Sequence, residues 1–242
     1  MFQFVPIGVV HSCFREKFGI PRQPGLVSAA RATLELLPPY NQPAAVRGLE
    51  GFSHLWLLFV FHGVPAGRWR ATVRPPRLGG NRRLGVFATR STFRPNPIGL
   101  SAVKLDHIAV RQGQVVLHLV GVDLLDGTPV LDIKPYLPYA DRIVEATGGF
   151  ASEAPETGLV VEFDPVASEF CAAWPGDADL RELISQILRQ DPRPAYERAS
   201  PLPQLHGMKL YDLDVRWETR GRVAYVTEIL EREPDKGSLA KP

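Results

Sequence analysis

Ala102-Val-Lys-Leu-Asp-His107, Val115-Val-Leu-His-Leu-Val120 and Leu131-Asp-Ile133 follow one another with only Arg111-Gln-Gly113 and Asp126-Gly-Thr-Pro129 as bends between them. Branched and leucine side chains favour extended backbone, and glycine with proline supplies turn dihedrals, so the stretch predicts successive short strands. Upstream, Phe4-Val-Pro-Ile-Gly-Val-Val10 reads as a strand ended by the polar His11-Ser12, and Ala32-Thr-Leu-Glu-Leu-Leu37 alternates with a period near two. Leu55-Trp-Leu-Leu-Phe-Val-Phe61 is expected to be a central, fully buried strand, with a further strand at Arg83 to Val86. No alternation of strand with long helix occurs before residue 150, which disfavours a doubly wound parallel sheet. The prediction is a mainly β protein with a barrel over residues 1–142.

The rest of the chain reads differently. Residues 147–158 are small, polar and broken by Pro155, which makes 143–158 a linker. Beyond it, Leu180, Leu183, Ile184, Ile187 and Leu188 recur at helical spacing, with Asp177 or Asp179 available as the cap. Leu210 to Trp217 and Val223 to Ile229 then form a hairpin across Arg220-Gly-Arg222. Residues 159–233 are therefore expected to be a small α+β domain, and 234–242 a disordered tail.

Composition bounds the function. Of 242 residues, 45% are hydrophobic and 22% charged, enough for a core, while 23 prolines and 21 glycines suit strands and loops rather than a helical bundle. A net charge of +2 does not by itself imply nucleic acid, but Arg68, Arg70, Arg74, Arg77, Arg82, Arg83, Arg90 and Arg94 fall within residues 66–94, which contain no Asp or Glu. Cys13 and Cys171 match no metal-ligand spacing, so neither a metal site nor a disulfide framework is expected. The opening residues lack a secretion pattern and no apolar run has spanning length, so a cytoplasmic protein without membrane contact is expected.

Four loops carry candidate chemistry. Arg90-Ser-Thr-Phe-Arg-Pro-Asn-Pro-Ile-Gly99 holds two arginines, hydroxyls and an amide on a proline-stiffened backbone, a rigid surface ready for carboxylate or phosphate, or else a plain surface turn. Leu124-Leu-Asp-Gly-Thr-Pro-Val-Leu-Asp-Ile-Lys-Pro-Tyr136 offers Asp126 or Asp132 as a proton acceptor and Lys134 as an anion holder. Asp-Gly is equally a common turn, and Asp132 and Lys134 can simply pair with each other. In Pro21-Arg-Gln-Pro-Gly-Leu26, Gly25 permits close backbone approach to a ligand. In Asp191-Pro-Arg-Pro-Ala-Tyr196, Arg193 and Tyr196 suit a phosphate and a stacked base, although helix termination also explains the prolines. His54 and His62 flank the apolar strand, and Phe52, Trp56, Phe59 and Phe61 read as core. The glycine fingerprints of the common cofactor folds do not occur.

Pro21-Arg-Gln-Pro-Gly25, Ala88-Thr-Arg-Ser-Thr-Phe-Arg-Pro-Asn-Pro-Ile-Gly99, Asp126-Gly-Thr-Pro129, Asp132-Ile-Lys-Pro-Tyr136 and Asp191-Pro-Arg-Pro-Ala-Tyr196 together resemble the TsaA-like family, in order and spacing over nearly the whole chain. The resemblance implies a single-sheeted β-barrel methyltransferase, homodimeric, using S-adenosyl-L-methionine. Its implied reaction is N6-methylation of threonylcarbamoyladenosine beside the anticodon of threonine-accepting tRNA. It also implies cofactor contacts at Gln23, Pro24, Gly25, Leu26, His62, Gly63, Arg90, Leu100, Leu124, Leu125, Asp126 and Gly127. Arg90, Asp126, Asp132 and Lys134 are the catalytic candidates, and Arg94, Arg193 and Tyr196 the tRNA-binding ones. The competing readings are a noncatalytic RNA-binding module and a methyltransferase of the same fold acting on another substrate.

Overall fold

A computed structural model describes residues 3–65, 67–155, 158–198 and 204–232, so the expected tail at 234–242 lies outside the described residues. The chain runs through β1 (Gly8–Ser12), β2 (Arg31–Leu36), β3 (His54–Val60), the two-residue strands β4 (Thr72–Val73) and β5 (Leu84–Gly85), then β6 (Ile98–Arg111), β7 (Gln114–Val120) and β8 (Thr128–Pro135). Six of these close into a barrel in the order β1-β2-β7-β6-β3-β8, every neighbour antiparallel. Closure satisfies both edges of the sheet and lets alternate side chains fill the interior. Leu34, Leu55, Leu57, Leu117 and Leu119 point inward and are buried, each contributing about 1.5–3 kcal/mol of apolar burial.

Several boundaries differ from the sequence expectation. β1 runs through His11-Ser12 instead of ending there, because the ladder to β2 continues through His11–Thr33 and Ser12–Ala32; the Ser12 N–H also reaches Asp126 Oδ1 at 2.9 Å and its hydroxyl the Leu124 carbonyl at 2.7 Å. β6 begins at Ile98, so the end of the arginine-rich loop is already strand. β3 alternates buried with half-buried positions rather than being buried throughout. The strand expected at Arg83 to Val86 shrinks to Leu84–Gly85, pairs only with β4, and stands outside the barrel.

The barrel's topology decides where the chemistry collects. In an all-antiparallel barrel of this order, the ends of β1, β3 and β7 and the starts of β2, β6 and β8 share one rim. The loops 13–30, 61–97 and 121–127 are therefore neighbours although far apart in sequence.

After a short turn of helix, α1 (Pro138–Asp141), come β9 (Val160–Phe163), α2 (Pro165–Ala173), α3 (Leu180–Arg189), α4 (Ala195–Arg198) and the strands β10 (Gln204–Leu210), β11 (Leu213–Arg220) and β12 (Val223–Glu231). The sheet order is β10-β11-β12-β9, with β9 parallel to β12. The expected helix and hairpin are present; β9, α2 and β10 are additions. Asp179 is the cap of α3, accepting from the Glu182 N–H at 2.9 Å. Loop 13–30 lies against this second unit: Phe14 bridges Leu210, the Cys13 carbonyl accepts from Tyr211 N–H at 2.8 Å, and the Ala29 N–H donates to Gln186 Oε1 at 2.9 Å. Barrel and C-terminal sheet thus share one continuous apolar cluster. Among the described residues, no helix is long and apolar enough to cross a membrane.

Candidate active site

The three loops on the shared rim enclose a cavity of ≈470 Å³, within the roughly 300–1,000 Å³ of small-molecule sites. Gln23, His62, Gly63 and Arg90 line it, as do Leu100, Leu124 and Leu125, so the barrel brings together residues from three separated motifs. Arg90 donates to Gln23 Oε1, joining the first motif loop to the second. Lys17 donates to the Gly63 carbonyl across the same mouth. Thr128 donates to the Leu125 carbonyl at 2.6 Å, and its oxygen stands 3.5 Å from His62 Nδ1.

One wall is aromatic. Trp56, Phe59 and Phe61, expected to be plain core, all line the cavity, and Phe59 meets Phe61 edge to face at 5.2 Å between centroids. Phe59 can lie flat there because its cross-strand partner is Gly99.

The cavity's carboxylate is Asp123, which the sequence reading passed over because the conspicuous Asp-Gly turn follows three residues later. Its Oδ1 is shut off from solvent and has no hydrogen-bond partner. Burial pushes its carboxyl up to about 6, while the Ser101 hydroxyl, its own backbone and the charge of Arg90 pull it back. A buried acceptor oxygen without a partner is costly to keep and marks a place where another group completes the arrangement.

The other acidic candidates are absent from the lining. Asp126 is absent from the cavity lining; its carboxylate takes Arg15 and the Ser12 N–H, tying the end of β1 to the start of β8. Asp132 and Lys134 pair at 2.8 Å. They are absent from the lining, although their cross-strand partners are Leu58 and Trp56, the second of which does line the cavity. Pro24, Gly25, Leu26 and Gly127 also fall outside the lining. Gly25 serves a backbone approach within the protein: its N–H donates to the Gly121 carbonyl at 2.8 Å, and a Cβ on Gly121 would come within 3.3 Å of its Cα. A second depression, of ≈570 Å³, is lined by Val46, Phe52, His107 and Val110 among others and contains none of the motif residues.

Comparison with known proteins gives the family. The sequence profile of the tRNA-methyltransferase O N-terminal domain matches residues 9–142, and that of the TrmO C-terminal domain matches residues 156–232. The chain belongs to the TrmO family. It is 52% identical over 217 residues to the tRNA (adenine(37)-N6)-methyltransferase of Escherichia coli, covering 89% of this chain and 92% of that one. A crystal structure of TrmO from Pseudomonas aeruginosa superposes with a TM-score of 0.77 at 44% identity, covering 95% of this chain and 99% of the other. A probable S-adenosyl-L-methionine-binding protein of Pyrococcus abyssi is 38% identical over 141 residues, 58% of this chain and 71% of that one.

In the region matching the TrmO C-terminal domain, Arg193 is buried rather than presented at the surface. It is 5% exposed, and its guanidinium is spent on Asp191 (2.7 and 2.9 Å) and the Thr219 hydroxyl (3.1 Å). The side chain of Tyr196 lies outside the described residues. Arg94 is half-buried and braces its own loop by donating to the carbonyls of Thr89 (2.8 Å) and Val86 (3.3 Å), while still lining the cavity. A sequence shows the charge of both arginines and not the acceptors each one meets.

Proposed function

We propose that this TrmO-family chain transfers the methyl group of S-adenosyl-L-methionine to N6 of threonylcarbamoyladenosine at position 37 of threonine-accepting tRNA, as a homodimer in the cytoplasm. The observation that carries the reading is the conjunction, in one rim cavity, of the Arg90–Gln23 pair with the orphaned Oδ1 of Asp123. Family membership makes the activity that of an S-adenosylmethionine-dependent tRNA methyltransferase.

The residues present suit the cofactor: apolar and aromatic walls for its ring and chain, cationic and amide groups for its carboxylate, and a buried carboxylate oxygen lacking a partner. When bound, the cofactor supplies a methyl group on a sulfonium centre. The protein's task lies with the acceptor. The N6 of a threonylcarbamoyl adenosine is ureido-like and weakly nucleophilic, so its proton must leave as the new bond forms. Asp123 is the residue we assign to take that proton. With its carboxyl near 6 it is ionised at neutral pH yet more basic than an ordinary aspartate. Arg90, at the mouth, presents planar donors for a carboxylate and fixes the loops through Gln23. This assignment replaces Asp126, Asp132 and Lys134 as catalytic candidates.

Purified protein with S-adenosyl-L-methionine and tRNA carrying threonylcarbamoyladenosine should yield the N6-methylated nucleoside, and cells lacking the gene should lose it, both read by nucleoside mass spectrometry. Arg90→Ala should suppress transfer with the fold intact. Saturable RNA binding without cofactor heat or methyl incorporation would instead leave a noncatalytic RNA-binding module; cofactor use without that nucleoside would leave a methyltransferase of another substrate.

A further inference from the structure

Between β3 and β6 the chain leaves the barrel and builds a projection around the β4–β5 pair. It carries Arg68, Arg70, Arg74, Arg77, Arg82 and Arg83, all solvent-exposed, and its sequence from 67 to 94 has no acidic residue. Among the described residues none of the six takes part in an ion pair. Arg83 reaches only the Thr72 hydroxyl, and Arg70 lies over the Phe93 ring. Beside them, Trp69 is 53% and Phe87 76% exposed, large aromatic surfaces that burial would normally claim.

The projection is fastened to the cavity loop. Arg70 N–H donates to the Phe93 carbonyl at 3.1 Å, Val86 N–H to the Ala71 carbonyl at 3.0 Å, and Arg94 to the Val86 carbonyl at 3.3 Å. Thr89, Arg90, Thr92 and Arg94, which line the cavity, are thus held by the element that presents the arginines.

We infer that the β4–β5 projection is the docking surface for the tRNA anticodon loop, its arginines on phosphates and Trp69 and Phe87 available to unpaired bases. Six like charges without internal counterions repel one another and favour a polyanion. Arginine with exposed aromatic rings is the pairing that suits single-stranded RNA, whose bases can leave the stack. An RNA loop seated there would be delivered to the mouth that Arg90 guards, which the arginine block alone did not imply. The inference rests on the proposed function, and its test is separable from it.

The test uses the triple variant Arg74→Gln, Arg77→Gln, Arg82→Gln, three side chains that make no hydrogen bond or ion pair among the described residues. An anticodon stem-loop RNA carrying threonylcarbamoyladenosine is the probe, with affinity measured by filter binding across a salt series. Each lost phosphate contact lowers the slope of log affinity against log salt by about 0.7–1, so the triple variant should lose about 2–3 and bind at least about tenfold more weakly near physiological salt. KM for the RNA should rise far more than kcat falls, with affinity for S-adenosyl-L-methionine unchanged. Wild-type RNA affinity and salt slope in the variant would overturn the surface, as would a fall in kcat at unchanged RNA affinity. Absence of methyl transfer by the wild-type protein would count against the proposed function while leaving the binding comparison valid.

Discussion

Gly99 stands opposite Phe59 on the paired strands β6 and β3, so close that a Cβ on Gly99 would lie 2.9 Å from ring atom Cε1 and nearer still to Cζ and Cε2. The glycine ending the arginine-rich motif is therefore what lets the aromatic wall of the cavity lie against its strand. Gly99→Ala should cost about 1–3 kcal/mol, the usual range for overpacking, and should also weaken S-adenosyl-L-methionine binding by displacing the ring. Adding Phe59→Leu should return part of the thermal stability, since a smaller flexible side chain relieves the clash, without restoring cofactor affinity. Thermal denaturation with calorimetric titration separates the two effects; full affinity in the double variant would show that the ring is not a cofactor wall.

Asp123 ties stability and activity to pH with opposite signs. Its folded carboxyl is raised to about 6 from 3.8, chiefly by burial. Between those values the folded state keeps the proton that the unfolded state releases, so stability falls as pH rises through the window and stays lower above it. The shift corresponds to roughly 3 kcal/mol. Asp123→Asn should accordingly melt several degrees above wild type at pH 8, with the gain fading toward pH 4. The same variant should lose about 100-fold or more in kcat, the lower end of general-base effects. Wild-type kcat/KM should fall below pH about 6. Near-normal turnover by Asp123→Asn would remove it from the chemistry.

Arg193 is a buried half of an ion pair with Asp191, which points to a structural role. Its three nitrogens meet Asp191 and Thr219, so Arg193→Ala leaves the Asp191 carboxylate with Arg198 alone, at 3.5 Å, and should destabilise the fold by about 3 kcal/mol, the low end for a broken buried pair because one cation remains. Lysine cannot reproduce the fork, so Arg193→Lys should recover only a fraction. Denaturant unfolding reads the loss; an unchanged midpoint together with weakened tRNA binding would return the side chain to the RNA surface.

The barrel was legible because its signal is local: alternation in Ala32 to Leu37 and Val115 to Val120, with Arg111-Gln-Gly113 between strands, reports burial and turning within a few residues. What the sequence did not carry was convergence. The Asp132–Lys134 pair was legible, two residues apart on one strand face, but only the folded barrel puts Asp126 under Arg15. Asp123 stands one residue before the Leu124–Gly127 turn and was overshadowed by it, and its relevance comes from burial against residues far away in sequence. β9 was missed because four residues become a strand only through pairing with β12, a contact more than sixty residues distant. Arg90 could be found early because its loop is rigid by composition, and that survives translation into three dimensions.

Gln186 offers a test of how the second unit serves the cavity. From α3 its Oε1 accepts the Ala29 N–H at 2.9 Å, and its Nε2 donates to the Ser28 hydroxyl at 3.1 Å and to Glu182 at 2.9 Å. These bonds hold the loop whose earlier residues, including Gln23, line the cavity. Gln186→Ala should cost about 1 kcal/mol of stability per lost bond. By loosening the loop it should raise KM for S-adenosyl-L-methionine more than it lowers kcat, since ordering that loop then falls to the binding step. Gln186→Glu retains the acceptor for Ala29 but forfeits both donated bonds and sets a carboxylate beside Glu182. It should therefore remain as unstable as the alanine variant while recovering cofactor KM. That split distinguishes a positioning residue from a merely structural one: a purely structural Gln186 would lower the melting temperature in both variants and leave the cofactor KM of both at the wild-type value.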